Sequence, residues 1–153
     1  MINISKYSGI LERCSSSYKN IAFKELGICS AHPVYFFFLA RNGGVTQEEL
    51  SKRLVVNKSN VTRNLQFLEE NGFIYRVSDE NDKRINRIYL SEKGENILPK
   101  IREKMKVFNE NVCLNLNEEE VIMLNTLFEK IAKNAVNFVR NEDYISWKWL
   151  LNI

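Results

Sequence analysis

From Thr46 to Ser91 the sequence changes its local instruction every few residues, and that punctuation limits what the chain can become. Thr46-Gln47-Glu48-Glu49 is a capping box: the threonine hydroxyl accepts from an orphan helix amide, and Glu49 reaches back to the threonine's own N–H. The helix it opens is short, passing through Leu50 and Leu54. Asn57 offers a second cap before Lys58, and the next helix extends to Asn71-Gly72, where glycine suits the left-handed position after a helix end. Two β-branched and aromatic segments follow, Phe73–Val77 and Arg84–Leu90. The polar loop Ser78-Asp79-Glu80-Asn81-Asp82-Lys83 joins them as a hairpin, and Ser91 caps a further helix.

The flanks are helical. Ile4, Tyr7, Leu11, Cys14, Tyr18 and Ile21 recur by threes and fours, one apolar face of a helix that should end near Gly27. Ser30 is placed to cap the next helix, with Pro33 in its first turn. The run Val34–Ala40, with Phe36-Phe37-Phe38, is apolar all round and therefore buried on most sides. After Ser91, Leu98, Ile101, Met105 and Phe108 line one helix, and Pro99 should kink it or delay its start. A last helix begins with Glu118-Glu119-Glu120, acids that suit the positive end of its dipole, and carries Val121, Leu124, Leu127, Phe128, Ile131, Ala135 and Phe138. Tyr144, Ile145, Trp147, Trp149, Leu150, Leu151 and Ile153 crowd the tail, and a second chain is the natural cover for so much apolar surface. The expected fold is mainly α with a small β-hairpin wing. A winged helix-turn-helix core, residues 29–99, is flanked by dimerisation helices, residues 1–28 and 100–153, in one continuous chain.

The second helix of the pair can be tested at 100° per residue. Val61, Leu65 and Leu68 fall on one side; Ser59, Arg63 and Gln66 lie opposite, flanked by Thr62 and Asn60. Short polar and forked side chains of this kind read base edges or grip phosphate in a major groove. Between Ser51 and Asn64 there are four basic residues, Lys52, Arg53, Lys58 and Arg63, and no acid. Taken alone, the face is more often that of a solvated helix; the hairpin shifts the balance. It supplies Arg76, Lys83 and Arg84, with Arg87 beyond. An arginine at a wing tip can enter a minor groove. Asp82, two residues before Arg84, is placed to hold its guanidinium in a bidentate pose, as an orienting residue rather than a DNA contact.

Five segments in order carry a wider likeness: Leu50-Ser51-Lys52-Arg53-Leu54, Asn57-Lys58-Ser59-Asn60-Val61-Thr62-Arg63, Leu68-Glu69-Glu70-Asn71-Gly72-Phe73-Ile74, Asp82-Lys83-Arg84 and Leu90-Ser91-Glu92-Lys93-Gly94. Together they resemble the MarR family of transcriptional regulators, most strongly across residues 31–98. The resemblance implies a homodimer with interlocked first and last helices, one winged lobe per subunit, and a palindromic double-stranded operator. It also implies Ser59, Asn60, Thr62, Arg63 and Gln66 in the major groove, Arg84 in the minor groove, and release by a small-molecule or oxidant signal. By the same resemblance, an effector pocket for a small phenolic or aromatic molecule would be lined by Tyr18, Cys29, His32, Tyr35 and Phe36. For His32 and the aromatics, an ordinary core is the competing reading.

Other functions find little to build on. Cys14, Cys29 and Cys113, odd in number and far apart, form neither a disulfide framework nor a zinc knuckle. Cys29, before the Ser30 cap, is the candidate for a redox-responsive variant of the regulator, and buried inert thiols are the alternative. With one histidine, no triad arrangement and no glycine-rich phosphate loop, neither an enzyme nor a bound metal or cofactor is expected. A winged helix used for protein–protein contact remains open, because fold does not dictate function. No apolar run approaches the roughly 18 residues of a membrane span, and Met1-Ile2-Asn3-Ile4-Ser5-Lys6 lacks a leader's order, so a cytoplasmic protein is expected. The net charge of +3 is uninformative as a total. Within Thr46–Leu90 eight basic residues face seven acidic ones, but the cations gather at the start of the polar-faced helix and on the wing.

Overall fold

The computed structural model describes residues 3–140. Six α-helices and one hairpin follow in order: α1 (Ile4–Ala22), α2 (Pro33–Arg41), α3 (Gln47–Leu54), α4 (Lys58–Glu70), β1 (Ile74–Ser78), β2 (Asn86–Leu90), α5 (Glu92–Val112) and α6 (Glu118–Arg140). This is the mainly helical, hairpin-bearing fold that the sequence implies.

Local chemistry sets most of the boundaries. Thr46 Oγ1 accepts from the Glu49 amide at 3.2 Å and Glu49 Oε2 from the Thr46 amide at 2.7 Å, so α3 opens on its capping box. Asn57 Oδ1 accepts from the Ser59 amide at 2.9 Å and Ser91 Oγ from the Gly94 amide at 3.1 Å, opening α4 and α5. Gly72 takes φ +71° after α4, a left-handed turn that its missing Cβ permits. Val55, between α3 and α4, takes φ +55°, a conformation that opposes its branched side chain and stores strain in the turn.

Two expectations are corrected and one, for Pro99, is narrowed. Ser30 caps nothing: its amide donates to Asn20 Oδ1 at 2.8 Å, and α2 begins at Pro33 with His32 at the cap position. Pro99 does not delay α5, which runs through it from Glu92. The second hairpin strand is shorter than expected, starting at Asn86 rather than Arg84, because Asp79 bends the loop. Its Oδ1 accepts from the amides of Asn81 (2.9 Å) and Asp82 (3.2 Å), and Ile85 donates back to the Asp82 carbonyl at 2.9 Å.

The core sits inside the winged lobe. Phe36 and Phe38 of α2, Leu50 of α3, Val61, Leu65 and Leu68 of α4, Ile88 of β2 and Ile101 of α5 are all buried. Burial of each such side chain contributes about 1.5–3 kcal/mol. Phe36 meets Phe73 edge-on at 5.5 Å. Gly94 lets α5 approach the hairpin: a Cβ there would stand 2.2 Å from the Phe73 carbonyl oxygen. Antiparallel pairing sets Tyr75 opposite Tyr89, whose rings stack at 5.5 Å.

Outside the lobe the packing is thinner. Among its described residues α1 buries none, and Ile21 is 77% exposed. Ile122, Met123, Leu127, Phe128 and Ile131 of α6 are exposed too, and Phe138 is 88% exposed. The aromatic tail from Tyr144 to Ile153 lies outside the described residues.

Candidate nucleic-acid interface

α4 divides as its helical phase requires. Val61, Leu65 and Leu68 are fully buried, which turns Lys58, Ser59, Asn60, Thr62, Arg63 and Gln66 to solvent. The exposed side chains are tied to one another. Arg63 Nη2 donates to Asn60 Oδ1 at 2.7 Å, Gln66 Nε2 to Glu70 Oε1 at 2.8 Å, and Thr62 Oγ1 to the Lys58 carbonyl at 2.9 Å. Ser59 Oγ donates to Asn57 Oδ1, the capping group of its own helix.

At the wing tip Arg84 is 90% exposed and clasped by Asp82: its Nε reaches Asp82 Oδ1 and its Nη2 reaches Oδ2, each at 3.1 Å. The expected bidentate pair is therefore present, and the Arg84 guanidinium holds the Asp82 carboxyl below its ordinary pKa. Lys83 beside it is exposed. The wing base is braced by residues that drew little notice in the sequence. Arg87 Nε pairs with Asp79 Oδ2, and its Nη1 donates to the Gly44 carbonyl at 2.8 Å, tying the hairpin to the loop before α3. The Asn81 amide, before Arg87, is the first cause lowering the Asp79 pKa. An aspartate two and three residues before amides it can accept was the available signal.

Arg76 is placed differently from the other cations of the face. Its Nε pairs with Glu69 Oε2 at 2.9 Å and its Nη1 with Gln47 Oε1 at 3.4 Å, half-buried between hairpin, α3 and α4. Gln47, the first residue of α3, also donates from Nε2 to Thr62 Oγ1 at 2.7 Å, a contact that its place in the capping box does not signal.

Behind α4 opens a cleft of about 1000 Å³. Cys29, His32 and Tyr35 line one side; Asn60, Arg63, Asn64 and Phe67 of α4 line the other. Tyr18 and Phe36, expected in this lining, are elsewhere. Tyr18 Oη donates to the Lys104 carbonyl at 3.0 Å between α1 and α5, and Phe36 is sealed in the core. The His32 ring stacks on Phe67 at 4.6 Å, and Asn64 Nδ2 reaches Tyr35 Oη at 3.4 Å. Burial pushes the His32 pKa down to about 4, so the ring is neutral. Its Nδ1 accepts from the Cys29 amide at 3.1 Å, which leaves the proton on Nε2, 3.7 Å from Cys29 Sγ. Cys29 is exposed, and with Ser30 no cap it owes its setting to this imidazole rather than to a helix end.

Among the described residues no group of three or more His, Cys, Asp or Glu is gathered to hold a metal ion. No described helix is long and apolar enough to cross a membrane.

Comparison with known proteins places this geometry. Residues 30–85 match the family model of the MarR family. The uncharacterized HTH-type transcriptional regulator YybA of Bacillus subtilis (strain 168) is 28% identical over 134 residues, covering 88% of this chain and 89% of YybA. The crystal structure of the transcriptional regulator SlyA is 32% identical and superposes with a TM-score of 0.83, covering 91% of this chain and all of that one. A putative MarR-family regulator from Listeria monocytogenes, solved in complex with a 26mer DNA, is 27% identical with a TM-score of 0.83, covering 95% and 99% of the two chains.

Proposed function

The chain belongs to the MarR family, whose fold is that of DNA-binding transcriptional regulators and not of enzymes, and from this premise we propose that it is a repressor that binds a pseudo-palindromic operator as a homodimer. The observation that carries the reading is the juxtaposition of two features: the exposed polar face of α4 and, beside it, an arginine held out at the wing tip by Asp82. Ser59, Asn60, Thr62, Arg63 and Gln66 face the major groove, with Lys58 and Lys83 on flanking phosphates and Arg84 in the minor groove. The Listeria relative in complex with DNA supports this use of the fold.

The dimer follows from what one chain leaves uncovered. The apolar faces of α1 and α6 find their partner in a second copy, which presents two reading helices about one DNA turn, or a multiple, apart. Residues 1–28 and 100–153 serve this assembly, and residues 29–99 form the reading lobe. The protein acts in the cytoplasm. A small aromatic or phenolic effector in the cleft behind α4 releases the dimer. The exposed Phe67 ring offers it a stacking surface, and Arg63 offers a cation to an acidic group. The effector acts only as far as it prefers the DNA-incompetent geometry.

Selection from a random double-stranded DNA pool tests the reading: an enriched inverted repeat is expected. No enrichment would sink it and favour a protein-interaction module. On the recovered operator, Arg63→Ala should cost roughly 1–3 kcal/mol, measured by titration of labelled DNA.

The Cys29–His32 contact favours one second reading, an oxidant in place of a small effector. The exposed Cys29 Sγ lies 3.7 Å from His32 Nε2, and its oxidation would place an adduct in the cleft behind α4. Unchanged operator affinity after peroxide treatment, with Cys29 shown modified by mass spectrometry, removes it.

A further inference from the structure

One hydroxyl on the reading face is held from behind by residues of other elements. Gln47 opens α3, and the capping box around Thr46 fixes its backbone. Its side-chain oxygen faces Arg76 Nη1 at 3.4 Å, and Arg76 is itself anchored on Glu69 at 2.9 Å. A guanidinium only donates, so it selects the oxygen end of the Gln47 amide. The NH₂ end is left to face Thr62, where it donates to Oγ1 at 2.7 Å.

The consequence falls on Thr62, which is exposed on α4. A hydroxyl has one proton and two lone pairs. The Thr62 proton goes to the Lys58 carbonyl at 2.9 Å, and one lone pair goes to Gln47. What remains for a base is a single lone pair and the γ-methyl. Such a group can accept from the amino group of adenine or cytosine, or touch the methyl of thymine. It has no proton left for the acceptor edge of guanine.

We propose that Gln47, backed by Arg76 and Glu69, is a specificity-determining positioning residue: with the Thr62 proton on the Lys58 carbonyl, Gln47 is the second tether on Oγ1, holds the remaining lone pair and the methyl in register, and so sets the base preference at one operator pair without touching that pair. Arg76 acts here through Gln47 rather than at the DNA. The inference rests on the reading of α4 as the helix that enters the major groove.

The experiment compares selections from a random double-stranded DNA pool by the wild-type dimer, Thr62→Val, Gln47→Leu and Arg76→Leu. Thr62→Val keeps the shape and removes the hydroxyl, so the base pair whose preference it changes is the one Thr62 reads. At that pair the wild type should favour an adenine or cytosine amino group over guanine by about fivefold, the lower end for a specific contact. Gln47→Leu leaves the proton on the Lys58 carbonyl but removes the second tether, so the acceptor is no longer held in register and the preference at that pair should fall to within about twofold. It should leave the other positions and the melting temperature unchanged, a pattern that general loss of structure does not give. Arg76→Leu should relax the same pair to a smaller extent.

If Gln47→Leu keeps the wild-type preference there, or weakens every position alike, the proposal is overturned. It is overturned equally if Thr62→Val changes no position. A wild type that enriches no sequence refutes the DNA-reading premise instead, an outcome separable from the others. Should Gln47→Leu fail to fold, Arg76→Leu carries the test, because it releases the same amide from the outside.

Discussion

The winged lobe and its flanking helices are built from the same apolar residue types and leave them in opposite states. In the lobe, apolar side chains from four helices and both strands close over one another, and Phe36, Leu65 and Ile88 are sealed off from solvent. Along α1 and α6 the stripe is as regular in sequence, yet Tyr7, Ile21, Phe128 and Phe138 stay exposed. Helical periodicity therefore says that a face is meant to be covered, and only packing says by what. One chain supplies the lobe's cover; along the flanks a single chain leaves the stripe open.

Five changes would break or sharpen that contrast. Phe36→Ala empties the centre of the lobe and should destabilise it by about 3–5 kcal/mol in urea denaturation. The matched substitution Phe128→Glu on α6 should leave the lobe's melting intact and halve the sedimenting mass. A lobe that melted with it would erase the distinction.

Acid should act on the lobe through His32 by up to about 3 kcal/mol. Its folded pKa, about 4, lies below the unfolded value of 6.5, so the fold favours the neutral ring. Stability is complete above pH 6.5 and is lost as pH falls from 6.5 toward 4, because only the unfolded chain takes the proton. His32→Gln should flatten that part of the pH–stability curve relative to wild type.

Gly94→Ala must push Phe73 and the hairpin away from α5, and a cost of about 1–3 kcal/mol is expected by thermal denaturation. Thr46→Ala removes one capping bond and should cost about 1 kcal/mol, read from the urea midpoint.

The parts legible in the sequence were those decided within a few residues. The caps at Thr46, Asn57 and Ser91, the left-handed Gly72 and the buried stripe of α4 depend on neighbours three or four positions away. The Asp82–Arg84 clasp is local too. What escaped depends on distant partners. Ser30 looked like a cap, but Asn20 of α1 takes its amide. Tyr18 and Phe36 looked like pocket walls, and the docking of α1 on α5 and of α2 on the hairpin drew them elsewhere. Gln47 meets Thr62 fifteen residues on and Arg76 twenty-nine residues on, distances over which no periodicity speaks.

The face proposed to read DNA has a calorimetric consequence too. Arg63, Gln66, Ser59, Thr62 and Arg84 all begin with hydrogen bonds already made to Asn60, Glu70, Asn57, Lys58 and Asp82. On the proposed reading, contact with a base edge would exchange one hydrogen bond for another and release little heat per contact. More of the driving force comes from the entropy of ions leaving the DNA, which falls as salt rises. A protein of this design grips its site through the surrounding solution as much as through its own side chains.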